Sequence, residues 1–353
     1  MNMTQKLFIV YDGIENSVFQ SQVVDPINKQ ITNNKTIQFT ILSFEKKLNK
    51  SKLLNLIQNN PKIKFIIAKK MPFLGRLSLL YATKFLRSFL YKNNFYEVIT
   101  RGPLAGYITL KALKNSTNIS KLTIQARGLC AEEMRFSTQF SKQSLLKKIL
   151  NPFLYKEYKK IEFEAYCKKT ITFKYEIESV SNGLKEYLIK EFNADKNKIT
   201  IAQNDIPAIL EPQKIIKYKE IYRQKLEIPS SKIIYCYSGS SRPWQCGKET
   251  IEYFKKKYVE DKNSFLLIFS QDQKEFEKII QNLNLEKECY KILSVKPNEL
   301  IYYLCACDFG LLFRQKDIIN WVSRPTKMLE YKSAGLEIIH NNNIEILTIN
   351  HST

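Results

Sequence analysis

The chain has 353 residues, 44% hydrophobic and 12% aromatic, which makes it globular and long enough for two domains of ordinary size. Lys and Arg total 56 against 34 Asp and Glu, a formal charge of +22, so the expected partner is polyanionic: a phosphorylated ligand, an anionic lipid surface or nucleic acid. Seven scattered cysteines without a C-x-x-C pair, and only two histidines, His340 and His351, point away from a disulfide framework, a zinc site and a Ser-His-Asp or Cys-His centre; a reducing cytoplasm is the expected compartment.

The N-terminal half alternates short β-branched runs with longer helical patterns, as a parallel sheet wrapped by helices does. Leu7 to Tyr11, LFIVY, reads as the first strand; it ends at the turn Asp12-Gly13 and lacks the length and cleavage site of a secretory signal. A helical segment holding Gln20, Gln22 and Val23 follows. Further strands are expected over 36–44, 63–68, 96–100, 121–125, 170–173 and 198–202, and helices over 52–59, 76–93, 104–114, 142–168 and 182–192. A polar stretch with Pro207 and Pro212 separates the halves, giving an expected N-terminal domain over 1–206, a linker over 207–216 and a C-terminal domain over 217–353.

The second half restarts the same grammar, with helices expected over 217–226, 250–258, 274–282 and 298–307 and strands over 233–237, 265–269, 290–293 and 309–313. Asp308, at a strand start, reads as structural. The last signal is Ser323 to Ile339, SRPTKMLEYKSAGLEII: Ser323 is placed to cap a helix, Pro325 suits its first turn, Gly335 suits its stop, and Ile338 and Ile339 start a strand. Thr326, Lys327 and Glu330 then share the first turns, where free amides and a lysine suit a phosphate and the glutamate suits ribose hydroxyls. The plainer reading is an amphipathic helix with a solvated Lys and Glu.

Three other groups stand out. Ser238-Gly239-Ser240-Ser241-Arg242 lies between a strand and a helix, as a phosphate loop does, or it is a surface turn. Arg127-Gly128 with Glu132 and Glu133 follows an inner strand, either facing a sugar hydroxyl or complementing a helix dipole. Residues 72–93 and 147–160 are apolar and basic, suited to an anionic lipid interface or to packing on the sheet. No stretch reaches the ~20 apolar residues of a spanning helix. No nucleic-acid-binding signature is present.

The ordered pieces YSGSSRPWQCGKETIEYF, PNELIYYLCACDFGLLF and SRPTKMLEYKSAGLEII, preceded by YDGIENSVFQSQV, QARGLCAEE, SVSNGLKEYL and TIAQND, resemble a GT-B-fold glycosyltransferase of family 4 (group 1), a retaining, metal-independent type. The resemblance implies an α/β protein of two Rossmann-like domains facing across a cleft, acceptor-side domain first and nucleotide-sugar (donor) domain second. It implies a cytoplasmic hexosyltransferase that moves a sugar from a nucleotide-sugar to a glycan or lipid-linked acceptor in cell-surface polysaccharide synthesis. Peripheral contact with anionic membrane is expected, with no cofactor, no metal and no nucleic acid. By the same resemblance Glu330 holds the ribose, and Pro325, Thr326 and Lys327 surround the diphosphate. Arg242, in the loop with Gly239 and Ser240, supplies a basic phosphate ligand, and Gly13 approaches the donor from the first domain. Lys327, Glu330 and Arg242 are the catalytic candidates, and Arg127, Glu132 and Glu133 stand on the acceptor side. The leaving diphosphate is expected to assist deprotonation of the acceptor on the same face.

The sequence departs from that pattern at Val322, where such enzymes often carry a sugar-contacting glutamate; at Gln245, where a lysine is usual; and at Glu337, where proline is common. It stops 14 residues after Ile339, before the final crossing helix expected of such enzymes. Two alternatives stay open: a nucleotide-sugar epimerase of the same fold, and a degenerate, non-catalytic protein that binds a nucleotide or a membrane surface.

Overall fold

The computed structural model describes residues 3–14, 19–46, 60–113, 119–140, 144–169, 173–203 and 209–348. The chain divides into two compact units, Met1–Asp205 and Ile206–Thr353. The first runs β1 (Thr4–Val10), a wide π turn (Gln20–Val24), α1 (Asp25–Asn33), β2 (Ile37–Glu45), β3 (Ile63–Lys69), a 3-10 turn (Arg76–Leu79), α2 (Leu80–Lys92), β4 (Glu97–Arg101), α3 (Gly102–Ala112), β5 (Lys121–Ala126), α4 (Cys130–Gln139), α5 (Leu145–Tyr166), β6 (Lys174–Ser179), α6 (Asn182–Phe192) and β7 (Ile199–Ile201). The strands form one parallel sheet in the order β3-β2-β1-β4-β5-β6-β7. Central β1 is buried from Leu7 to Val10 and pairs on both sides, Leu7 with Thr40 and with Val98. A strand covered on both faces reads as an unbroken apolar run, which is why it was legible.

The strand expected over 170–173, apart from Phe173, and the helix expected over 52–59 lie outside the described residues; the strand described next is β6, Lys174–Ser179. β6 alternates, burying Tyr175, Ile177 and Ser179 and turning Lys174, Glu176 and Glu178 to the other face. Its polar half hides it from a search for apolar runs. α6 has the expected bounds because its capping is local: the Leu184 amide donates to Ser181 Oγ (3.0 Å), and Asn193 closes the helix at φ +50°.

The second unit runs α7 (Pro212–Lys225), β8 (Ile233–Ser238), α8 (Gly247–Glu260), β9 (Ser264–Phe269), α9 (Gln273–Asn282), β10 (Tyr290–Leu293), α10 (Pro297–Cys305), β11 (Phe309–Leu312), α11 (Ile318–Trp321), α12 (Thr326–Ser333), β12 (Glu337–His340) and α13 (Glu345–Thr348). Its parallel sheet has the order β10-β9-β8-β11-β12. Alternate residues of β8 feed two cores: Ile234 and Cys236 pack with Leu267, Leu312 and Met328, while Tyr235 and Tyr237 pack with Phe254, Leu266 and Phe276. α7 starts at Pro212, five residues before the expected 217, because Ile215 and Tyr218 join the first of these cores. Asp308 is a structural clamp, accepting from Lys219 (2.6 Å), Arg223 (2.7 Å) and the Ile234 amide (2.8 Å).

α12 differs from expectation at one end. Pro325 occupies the N-cap position without a side-chain cap, and the Ser323 hydroxyl donates to the Asn320 carbonyl (2.8 Å) instead. At the other end Gly335, at φ +75°, closes a Schellman motif: the Leu336 amide donates to Tyr331 O (3.0 Å) and the Gly335 amide to Lys332 O (3.1 Å). The helix is seated by Tyr331, wholly buried against Gly310 of β11, where an added methyl would stand 2.4 Å from the ring. Overpacking of this kind costs about 3 kcal/mol. Gly310→Ala is therefore expected to lower the denaturant midpoint of the second unit, followed through its tryptophans Trp244 and Trp321; an unchanged midpoint would show that the ring has room to move.

Candidate functional site

In the second sheet, strand order runs outward from β8 in one direction and from β11 in the other, so the pair flanks the switch point where an open α/β sheet leaves a crevice beyond its carboxyl ends. After β8 comes Gly239 at φ +139°, a backbone conformation that suits glycine alone; its amide donates to Phe269 O (2.9 Å). The loop is pinned further on. The Tyr237 hydroxyl donates to Ser240 O (2.7 Å), and the Ser241 amide and hydroxyl both donate to Asp272 (2.9 and 3.1 Å).

Lys327, second in α12, runs beneath this loop. Its Cε and Nζ lie 2.5 Å from where a methyl on Gly239 would sit, and its ammonium is 4.0 Å from the centre of the Tyr237 ring. The nitrogen is buried and has no hydrogen-bond partner among the described residues. Arg314, just past β11, is buried as well: its guanidinium donates to Phe313 O (3.0 Å), and Asn341 and Asn343 clamp its carbonyl (2.7 Å each). Burial holds Lys327 well below the ordinary lysine value; the Arg314 charge pushes the same way, and Glu330 opposes. Glu330 is half-buried, and burial raises its carboxyl above the usual range. The first amides of α12 have no intrahelical acceptor and carry the positive end of the helix dipole. Two desolvated cations, with no carboxylate in ion-pair contact among the described residues, make this crevice suited to an anion.

Gly239, Ser240, Pro325, Thr326, Lys327 and Glu330 therefore share one end of the second sheet. Arg242, two residues past Ser240, is exposed, with its guanidinium 5.3 Å over the Trp244 ring. Val322 is a core residue, so its position presents no polar group. Sequence reasoning missed Arg314, although its place directly after a strand is the signal that singled out the other loops.

The first sheet has its own switch point between β1 and β4. Gly13, at φ +88°, turns the chain against Glu45, which accepts from the Ile14 amide (3.0 Å) and from Ser43. Arg101, last in β4, is buried between Asp12 (3.4 Å) and Gln22 (2.7 Å). Arg127 follows β5, and the Glu133 carboxylate folds back to 2.2 Å from where a methyl on Gly128 would sit. Glu132 is committed elsewhere. Against the burial that would raise it, bonds from Arg135 (2.6 Å), Tyr155 (2.7 Å) and Lys159 (3.0 Å) hold its carboxyl at about 2. That saturation favours the structural reading of Glu132 over hydroxyl recognition. Among the described residues no group of three or more His, Cys, Asp or Glu is placed to hold a metal ion, and no helix is long and apolar enough to cross a membrane.

No family model and no curated protein matches the chain. Solved structures match it in fold. A glycosyltransferase from Rickettsia africae gives a TM-score of 0.63 at 16% identity, covering 97% of this chain and 80% of that one. WaaG, a glycosyltransferase involved in lipopolysaccharide biosynthesis, gives 0.61 at 12%, covering 98% and 84%. A UDP-GlcNAc 2-epimerase from Neisseria meningitidis, bound to UDP-GlcNAc, gives 0.53 at 12%, covering 98% and 85%. At these identities the likeness is one of architecture: two Rossmann-like α/β domains in one chain, the GT-B fold.

One buried acid near the first switch point was also missed. Glu162, inside α5, is wholly buried and accepts from the Ala131 amide (3.4 Å) at the start of α4, while its second oxygen has no partner among the described residues. Burial pushes its carboxyl up to about 8, although Lys159 opposes. The unfolded chain ionises this group first, so stability is full below the usual glutamate value and falls as pH rises toward about 8. Glu162→Gln is expected to be near neutral at about pH 5 and stabilising at about pH 8, on the order of 3 kcal/mol. Thermal unfolding at the two pH values checks this, and an equal effect at both would remove the ionisation from the account.

Proposed function

We propose that the chain is a glycosyltransferase that moves a sugar from a nucleotide-sugar to a glycan or lipid-linked acceptor. The observation that carries the reading is the unpartnered Lys327 beneath Gly239 at the switch point of the second sheet. With Arg314 and the first amides of α12, it supplies positive charge for the donor diphosphate as the bond to the sugar breaks. Glu330 is assigned to the ribose hydroxyls. Configuration is retained in this reading: the leaving phosphate oxygen takes the acceptor proton on the face where the new bond forms. No metal is required, because the protein's own cations meet the developing charge. The higher TM-scores of the two glycosyltransferases support transfer over epimerisation.

A thermal-shift series with UDP-, GDP-, ADP- and CMP-sugars tests the donor reading. At least one is expected to raise the melting temperature, since a ligand at a hundred times its Kd stabilises by about 2.7 kcal/mol. The shift is expected to be lost in Lys327→Ala and reduced in Glu330→Ala. No shift with any nucleotide-sugar would sink the reading, and a shift without transfer to any acceptor would leave a binding protein.

The acceptor is expected to lie at a membrane face. Met71, Leu74, Leu77, Leu80 and Tyr81 are exposed in one stretch, and Ile149 and Phe153 are exposed on α5. The two segments are joined by the stacked rings of Phe73 and Tyr158 (4.3 Å) and by Arg76 bound to Glu157 (3.1 Å). Exposed Lys84, Lys147, Lys148, Lys156 and Lys160 accompany them. Apolar side chains set among lysines suit an anionic interface. Binding to phosphatidylglycerol vesicles is expected, weakening with salt and with Leu77→Asp; equal binding to neutral vesicles would remove the electrostatic part.

A further inference from the structure

In the first unit, one face of β1, β4, β5 and β6 and the adjoining side of α1 enclose a pocket of 180 Å³. One wall is apolar, made by Phe8 and Ile99 of the sheet and Val23, Pro26 and Ile27 of the helical segment. The other wall is a row of charged side chains in which the lysines are satisfied. Lys6 pairs with Glu97 (2.7 Å), and Lys121 pairs with Glu97 (3.2 Å) and Glu176 (2.6 Å).

The end of the row nearest the strand termini is different. Gln125 donates through Nε2 to Glu178 (3.1 Å), which fixes the amide orientation, since the reverse would set an oxygen against the carboxylate. Gln125 is 8% exposed, and its Oε1 is buried with no partner among the described residues. Among the described residues Glu178 forms no ion pair. The pocket therefore offers one buried acceptor that lacks a donor, Gln125 Oε1, next to a half-buried carboxylate that receives a single hydrogen bond from Gln125, with an apolar wall beside them. A buried acceptor left unmet is unfavourable, and an incoming hydroxyl relieves it. Gln22 and Val23 reach the pocket from the π turn at Gln20–Val24, a rare backbone feature found often at functional sites.

We propose that this pocket binds a monosaccharide unit, with its C–H face against Phe8, Ile99 and Pro26 and two adjacent hydroxyls donating to Gln125 Oε1 and Glu178. A ring of this kind supplies donors on its rim and an apolar face, and it is neutral. An organic ammonium suits the pocket less, because Lys6, Lys121 and Arg127 line it alongside the carboxylates. The assignment does not rest on the donor reading of the second unit, and it stands or falls without nucleotide or turnover.

Saturation-transfer NMR on the full chain tests it, with D-glucose, D-galactose and N-acetylglucosamine as probes, UDP in excess, and putrescine as the amine control. Transfer to at least one sugar is expected, with affinity reduced about tenfold or more by Glu178→Ala and by Gln125→Leu. Glu178 is only half-buried, so Glu178→Ala keeps the test valid if the change at Gln125 disturbs folding, which circular dichroism reports. Absence of transfer to every sugar, transfer unaffected by Glu178→Ala, or transfer to putrescine alone overturns the proposal.

Discussion

The contact on which the second unit's site depends is the packing of Tyr331 on Gly310. The ring lies where any side chain on that strand would be, and its hydroxyl accepts from the Ser238 amide (2.9 Å). One residue of α12 is thereby fixed to β11 by sterics and to the end of β8 by a hydrogen bond. Lys327 stands four residues earlier on the same helix, about one turn away, so the position of its ammonium beneath Gly239 follows from how Tyr331 is seated. The phosphate-side candidates do not owe their grouping to direct bonds with one another. Thr326, Lys327 and Glu330 share a helix held at its far end, where the Schellman closure at Gly335 leads into β12.

Several desolvated cations are neutralised at close range: Lys6 and Lys121 meet Glu97, Lys159 meets Glu132, and Arg223 of the second unit meets Asp308. Lys327 and Arg314 are desolvated without a carboxylate in ion-pair contact among the described residues. Burying a charge unpaired is costly, so folding alone would not favour two of them at one crevice. The formal charge of +22 says little about this, because most of the excess is solvated lysine. The informative quantity is where compensation is missing.

Legibility in the sequence followed the range of the interactions. β1, β8 and β9 are buried on both faces and read directly as apolar runs, and α6 was placed correctly because Ser181 and Asn193 cap it locally. β6 is hard to read as a strand because it alternates, with Glu176 and Glu178 facing the polar pocket. Ser323 has the right chemistry for a cap and the wrong geometry, since α11 immediately upstream offers its Asn320 carbonyl first. Arg242 reads as a phosphate ligand because a loop arginine is the obvious cation; it is exposed, with its guanidinium over the Trp244 ring. Arg314 and Glu162 were invisible for a common reason: a single charge in a strand exit or a long helix looks solvated until tertiary packing buries it.

Under the donor reading proposed above, desolvation is what would give the Lys327 site selectivity for an anion. With its nitrogen over the Tyr237 ring and Arg314 nearby, the ammonium form is disfavoured while the crevice holds no anion. A diphosphate changes that balance by supplying the missing counter-charge, so its binding favours proton uptake at Lys327. A neutral sugar supplies none and gains nothing from the lysine. The same burial that makes Lys327 a poor surface cation thus makes it sensitive to the charge of what enters. Glu330, one turn away, has its carboxyl raised by burial, with Lys327 opposing.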